Sequence, residues 1–280
     1  MSPSDEVLLA ALPGATHVAR RPYPYATSCP LTELTVAFPD GPRRLLLKEL
    51  VAAPGRPDDK PPPGREAEVY RRLLAAEGIG PELLASGADW LVLELVDGVE
   101  LWQVGDPSRW ADVARWLGRL HRRFADRGAE LRAAGLAPLT AEQLDEWLVR
   151  AERHVAGRLD LDACRAALTG LAANAPTLVH GEFYPSNVLL AGDRVVPVDW
   201  ETAALGPGAL DLAALVTGWD NDGQQRIVDA YGEVDPVTLD QARLALALRW
   251  IGWQAAWTPP PEHRHDWFAE ALGATERLGR

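Results

Sequence analysis

The spacing of apolar residues changes about a third of the way along the chain, near Gly98. Before that point the strongest apolar runs are short and dense. Residues 44–50 read Arg-Leu-Leu-Leu-Lys-Glu-Leu and residues 90–96 read Trp-Leu-Val-Leu-Glu-Leu-Val. Their length and aliphatic content predict buried strands. Residues 18–36 place β-type residues on both sides of a proline-bounded stretch holding Tyr23, Tyr25, Thr27, Ser28 and Cys29, which predicts strand, loop, strand. Residues 52–65 are rich in Pro, Gly and charge and predict a surface loop. Two helices complete this part: a short one at 7–12, and one at 66–76 with Val69, Leu73 and Leu74 at helical spacing.

Beyond Gly98 the helical period dominates. Val113, Trp116, Leu117, Leu120 and Phe124 share one face of a helix starting at Trp110. Further helices are predicted at 141–155 and 161–173, and again from about Leu210, Gln224 and Leu239. Short strands are predicted at 177–179, 188–190 and 194–198. The chain therefore reads as α+β, with a small sheet-rich first domain (residues 1–96) and a larger, mainly helical second domain (residues 97–280). It has no internal repeat.

Composition narrows the function. At 280 residues and 47% hydrophobic content, the chain can bury a real core. Its formal charge of −12 argues against general binding to nucleic acid or anionic membranes. That charge favours a cationic ligand only weakly. The N-terminus has no basic segment followed by an apolar run, so no signal peptide is expected. The apolar stretch 242–257 contains Arg243 and Arg249 and reads as a buried helix, not a membrane span. The two cysteines, Cys29 and Cys164, lack metal-site spacing and suit a reducing, cytoplasmic setting. Only Lys48 and Lys60 are lysines; every other Lys/Arg position is arginine. A lysine kept inside an apolar strand against that bias needs a reason.

Candidate chemistry lies on two short segments. His180-Gly181-Glu182-Phe183-Tyr184-Pro185-Ser186-Asn187 follows one predicted strand, and Val198-Asp199-Trp200-Glu201 ends another. A carboxylate at Glu182 can take a proton from an attacking hydroxyl. The oxygens of Asn187 and Asp199 suit Mg²⁺, which prefers hard ligands. An ammonium at Lys48, paired with Glu66 or Glu68 on the next helix, can hold phosphates. Each residue also has a plainer reading. Lys48 can be an edge lysine reaching solvent, His180 a hydrogen-bonded core histidine, Asp199 a turn aspartate, and 94–96 a plain connector. Asp211 either caps the helix it opens or is buried and binds backbone N–H groups of the 180–187 loop; both roles are structural.

Together these segments resemble the aminoglycoside phosphotransferase family, grouped with choline kinases and the protein kinase-like fold. The family's His-Gly-Asp-x-x-x-x-Asn segment is matched by His180 through Asn187, and its aliphatic-Asp-Trp-Glu segment by Val198 through Glu201. The strand lysine matches Lys48, its helix partner Glu66, and the Gly-x-x-x-Asp-Leu-Ala segment residues 206–213. The resemblance runs from about Val18 to about Trp257. It implies a bilobal fold with a small β-sheet N-lobe and a larger helical C-lobe, and an ATP- or GTP-dependent kinase using Mg²⁺. By this resemblance Glu182 is the catalytic base, and Lys48, Glu66, Thr27, Ser28, Glu94 and Val96 bind the nucleotide. Asn187 and Asp199 hold the metal, while His180 and Asp211 support the loop. The acceptor is a small-molecule hydroxyl, on an aminoglycoside or another amino sugar or alcohol. Candidate acceptor contacts are Asp220, Asp222, Glu262 and Asp266, with Trp253 and Trp257 as walls. Two departures stand out. The 25–30 loop is not Gly-rich, and Glu182 stands where the family has Asp. The second departure leaves open a nucleotide-binding pseudokinase without transfer activity.

Overall fold

The computed structural model describes residues 2–24, 29–51, 60–62, 64–253 and 265–279. They fall into two compact units: Met1–Val99 with Leu189–Thr202, and Glu100–Val188 with Ala203–Arg280. The first unit thus takes back a later stretch that a single cut near Gly98 leaves in the second.

The first unit is built on a five-stranded antiparallel sheet of order β1-β2-β3-β5-β4. Its strands are β1 (His17–Pro22), β2 (Leu31–Phe38), β3 (Gly41–Glu49), β4 (Leu83–Ser86) and β5 (Trp90–Glu94). Alternation decides which residues enter the core. Leu34, Val36, Leu45, Leu47 and Val92 are buried with Leu8 of the N-terminal helix Asp5–Ala11, which Ser4 caps, and with Leu12 just beyond its end. Leu46 and Lys48 point to the other face. Leu31 stands opposite Lys48 on that face, Glu33 opposite Leu46, and Thr35 opposite Arg44. β5 ends at Glu94, two residues earlier than the apolar run predicts, because Leu45 is its last partner on β3. β4, a four-residue strand between Pro81 and Gly87, is too short to show a period in the sequence.

Residues 65–77 form one continuous helix. Arg65–Val69 and Ala75–Glu77 are α-helical, Tyr70–Leu74 makes a π turn, and Gly78 ends the helix at φ 65°. Its buried face carries Ala67, Val69, Tyr70, Leu73 and Leu74, and also one carboxylate, Glu66. Strands Val188–Ala191 and Arg194–Pro197 lead into a turn, Trp200–Thr202, whose tryptophan is wholly buried.

The second unit is helical around Pro236–Trp253, which packs against Ala141–Val155, Leu161–Ala172, Ala209–Val216 and Trp267–Leu278. That central helix is buried on most sides. Its Leu and Ala residues account for this, and Asp240 and Arg249 are charges buried among them. The helix Pro107–Phe124 places Val113, Leu117, Leu120 and Phe124 in the core. Thr140 and Gln143 close a capping box at the start of Ala141–Val155. Strand Thr177–Val179 pairs antiparallel with Ala204–Gly206. Two helices, Gly128–Ala133 and Trp267–Leu278, were not expected; the first is only six residues and the second follows a proline-rich stretch. Among the described residues no helix is long and apolar enough to cross a membrane.

Candidate active site

In the first unit, one ammonium serves two carboxylates. The face alternation of β3 turns Lys48 away from the leucine core, and its Nζ lies 2.7 Å from Glu66 Oε2 and 2.7 Å from Asp199 Oδ1. Only 9% of the lysine side chain and 1% of the glutamate side chain are exposed. Burial opposes the Lys48 charge, but Asp199 and Glu66 outweigh it and hold the ammonium well above the usual lysine value. Burial pushes the Glu66 carboxyl up to about 7, against the pull of Lys48 and with Asp199 adding to the rise. The other Glu66 oxygen accepts from the Trp200 N–H at 3.2 Å. Asp199 has φ 66°, the only non-glycine in the left-handed region among the described residues. That conformation costs about 1–2 kcal/mol, so the surrounding contacts must impose it.

The second lysine does a parallel job. Lys60 Nζ donates to Glu201 Oε1 at 2.6 Å, and the glutamate is 1% exposed. Arg65 donates to the Glu201 carbonyl at 3.2 Å. Both lysines of the chain therefore meet the Asp199-Trp200-Glu201 segment.

In the second unit, the 180–187 loop is tied down from beneath. Asp211, 1% exposed, accepts the His180 N–H at 2.7 Å and the Gly181 N–H at 2.9 Å. Of the two structural roles open to Asp211, the structure shows this one, and Gly208 occupies the N-cap instead. The same carboxylate meets His121 Nε2 at 3.3 Å, and His121 Nδ1 meets the Tyr231 hydroxyl at 2.8 Å. His180 is fully buried; its Nδ1 accepts the Glu182 N–H at 3.3 Å, and its ring meets Phe183 edge-on. Gly181, at φ 83°, makes the turn that only glycine takes easily. Asn187 donates its Nδ2 to the Glu182 carbonyl at 2.9 Å, which leaves its side-chain oxygen for another partner.

Glu182 itself is 5% exposed. Its Oε1 lies 3.4 Å from Nη2 of Arg249, whose Nη1 donates to the Gly181 carbonyl at 2.7 Å. The Arg249 guanidinium lies 4.3 Å from the Trp253 ring centre and 4.9 Å from that of Trp147. Sequence reasoning missed Arg249 and Lys60. The signal for Arg249 was a charge inside an otherwise apolar helix; Lys60 lies in a loop whose composition gives none.

The other expected residues have local surroundings of their own. Glu94 forms a two-point pair with Arg194 at 2.8 and 3.0 Å, and Val96 is half-buried beyond the end of β5. Asp220 and Asp266 cap helices, accepting from Gly223 N at 2.8 Å and Ala269 N at 2.9 Å. Asp222 is exposed and Trp253 is buried. Thr27, Ser28, Trp257 and Glu262 lie outside the described residues.

The profile of the phosphotransferase enzyme family matches residues 34–246. The chain belongs to that family. A glucosamine kinase from Streptacidiphilus jiangxiensis is 31% identical over 218 residues, which are 63% of this chain and 47% of that protein. The chain thus spans about half the length of that curated relative. A macrolide 2'-phosphotransferase from Brachybacterium faecium superposes with a TM-score of 0.63 at 19% identity, over 97% of this chain and 95% of its own. A choline kinase from Cryptosporidium parvum gives 0.62 at 13% identity, over 98% and 94%. These structural likenesses establish the protein kinase-like fold for this phosphotransferase family member, with a small antiparallel sheet leading a mainly helical part.

Proposed function

We propose that this protein is a small-molecule kinase that moves the γ-phosphoryl group of ATP to a hydroxyl of an amino sugar or a related alcohol. The observation that carries the reading is the Lys48 ammonium, buried in a sheet and held by Glu66 and Asp199. A charge so costly to bury is out of place in a purely structural strand, and suits a phosphate-binding cation. The amino sugar follows from the glucosamine kinase relative, which is similar over part of its length.

In this reading Lys48, oriented by Glu66, binds the α- and β-phosphates. Glu182 orients the acceptor hydroxyl and receives its proton as the oxygen bonds to the γ-phosphorus and the bond to ADP breaks. Asn187 and Asp199 supply oxygens of the hard type Mg²⁺ prefers, and the Asn187 amide is turned so that its nitrogen is already used. When bound, that ion neutralises phosphate charge. Main-chain groups near Glu94 and Val96 contact the purine, with Thr27 and Ser28 at the phosphates; GTP is the other candidate donor. Asp220, Asp222, Glu262, Asp266, Trp253 and Trp257 are the acceptor candidates, Asp220 and Asp266 each with one carboxylate oxygen engaged in a helix cap.

A second reading, a nucleotide-binding pseudokinase, is favoured by one observation: the longer Glu182, engaged by Arg249. The test is ADP release with ATP, Mg²⁺ and a panel of amino sugars, choline-type alcohols and glucosamine. Turnover that Glu182→Ala cuts by about 10²-fold or more supports the kinase. Nucleotide binding without turnover, with turnover created by Glu182→Asp, supports the pseudokinase. Failure to bind any nucleotide sinks both.

A further inference from the structure

The glutamate in place of the family's aspartate has a counterpart on another element. Arg249 sits in the middle of the helix Pro236–Trp253, 6% exposed, in a stretch of Leu, Ala and Ile. Nothing about packing that helix calls for a guanidinium there, and burying one is costly unless it is partnered. Its hydrogen-bond and ion-pair contacts are to residues 181 and 182. One nitrogen takes the Gly181 carbonyl at 2.7 Å and the other lies 3.4 Å from the Glu182 carboxylate, while Trp253 and Trp147 cover the cation. The fork thus grips the loop at its backbone and at the tip of its acid.

We propose that Arg249 is a positioning residue that fixes the Glu182 carboxylate, making the longer acid serve where the family uses aspartate. This rests on the kinase reading. A glutamate has one more rotor than an aspartate, and its tip wanders unless something holds it. An anchor placed beside the loop holds that tip while the Gly181 contact keeps the backbone still. An aspartate at 182 would draw the carboxylate back by about the 1.5 Å of one C–C bond, out of reach of Nη2. Glutamate and arginine therefore work as a pair, and neither substitution is neutral alone.

The experiment is a double-substitution cycle at 182 and 249, read in two ways. For turnover, Arg249→Met lowers kcat by about 10²-fold, the scale of a misplacement near 1 Å, while KM for ATP changes by less than about 3-fold. Arg249→Lys, which keeps the charge but loses the fork, recovers part of kcat. Added to Glu182→Asp, Arg249→Met causes no further loss beyond about 3-fold. For stability, urea midpoints of Glu182→Gln, Arg249→Met and the double variant are non-additive. Equal losses of kcat in both backgrounds, or additive midpoints, overturn the proposal. A parent protein that binds ATP but turns over no acceptor sinks the kinase reading alone; additivity of the urea midpoints then decides whether Arg249 and Glu182 are coupled.

Discussion

Glu33 and Glu66 are two buried carboxylates in the five-stranded half of the chain, each against basic side chains, and their proton affinities move in opposite directions. Glu33 takes hydrogen bonds from Arg44 at 2.7 Å and Arg21 at 2.5 Å, and these hold its carboxyl down to about 2. Both arginines are mostly in solvent, with side chains 60% and 70% exposed. Glu66 shares a single buried ammonium with Asp199, and burial lifts it to about 7. Two cations around one anion leave the anion settled. One buried ammonium shared with a second carboxylate leaves burial the stronger influence on Glu66. Glu33 stands on the same sheet face as Lys48, one cross-strand step along, so position on the sheet does not separate the cases. The count of partners and the access of water do. The crowded arrangement is the one expected where a ligand's own charges complete the balance.

The largest effect expected from this contrast is at Lys48. Lys48→Met leaves Glu66 and Asp199 without their cation and should lower unfolding free energy by about 3–5 kcal/mol, measured by urea titration. Adding Glu66→Gln should restore part of that loss. A Lys48→Met protein as stable as the parent would break the comparison. Next come the pH limbs. The folded-state value of Glu33 lies below its ordinary 4.5, so the stability it contributes is present above that pH and lost as pH falls through about 2. Glu66 has the opposite sign: its contribution is present below 4.5 and lost as pH rises through about 7. Glu33→Gln should therefore flatten the acid limb of a stability-pH curve and Glu66→Gln the limb approaching neutrality; matching slopes would refute the assignment. Smallest are Arg21→Met and Arg44→Met, which remove one of two solvent-exposed partners. Each should shift the thermal midpoint far less than Lys48→Met, by calorimetry.

Much of the site's first half was legible because strand alternation is strict. Lys48, next to Leu47, points to the face opposite the one that Leu45 and Leu47 use, and the next helix offers an acid two residues into its run. The loop 180–187 was legible from its residue types in order, and the tether Asp211 from an acid in an apolar helix. What stayed hidden depends on distance in space rather than along the chain. Lys60 to Glu201 spans a loop with no periodic signal. Arg249 lies 67 positions from Glu182, and only its oddity inside an apolar helix marked it. β4 was missed for its length, and the helix 267–278 because the stretch before it is full of prolines.

The two lysines carry one practical consequence. Each side chain is about nine-tenths covered and each ammonium is clamped by a carboxylate. Acylating reagents attack neutral, reachable amines, so the folded chain shields both of these sites and an opened chain surrenders them. With no other lysine in the chain, acyl groups mapped to Lys48, as distinct from the one the α-amine takes up, gauge how often the sheet comes apart.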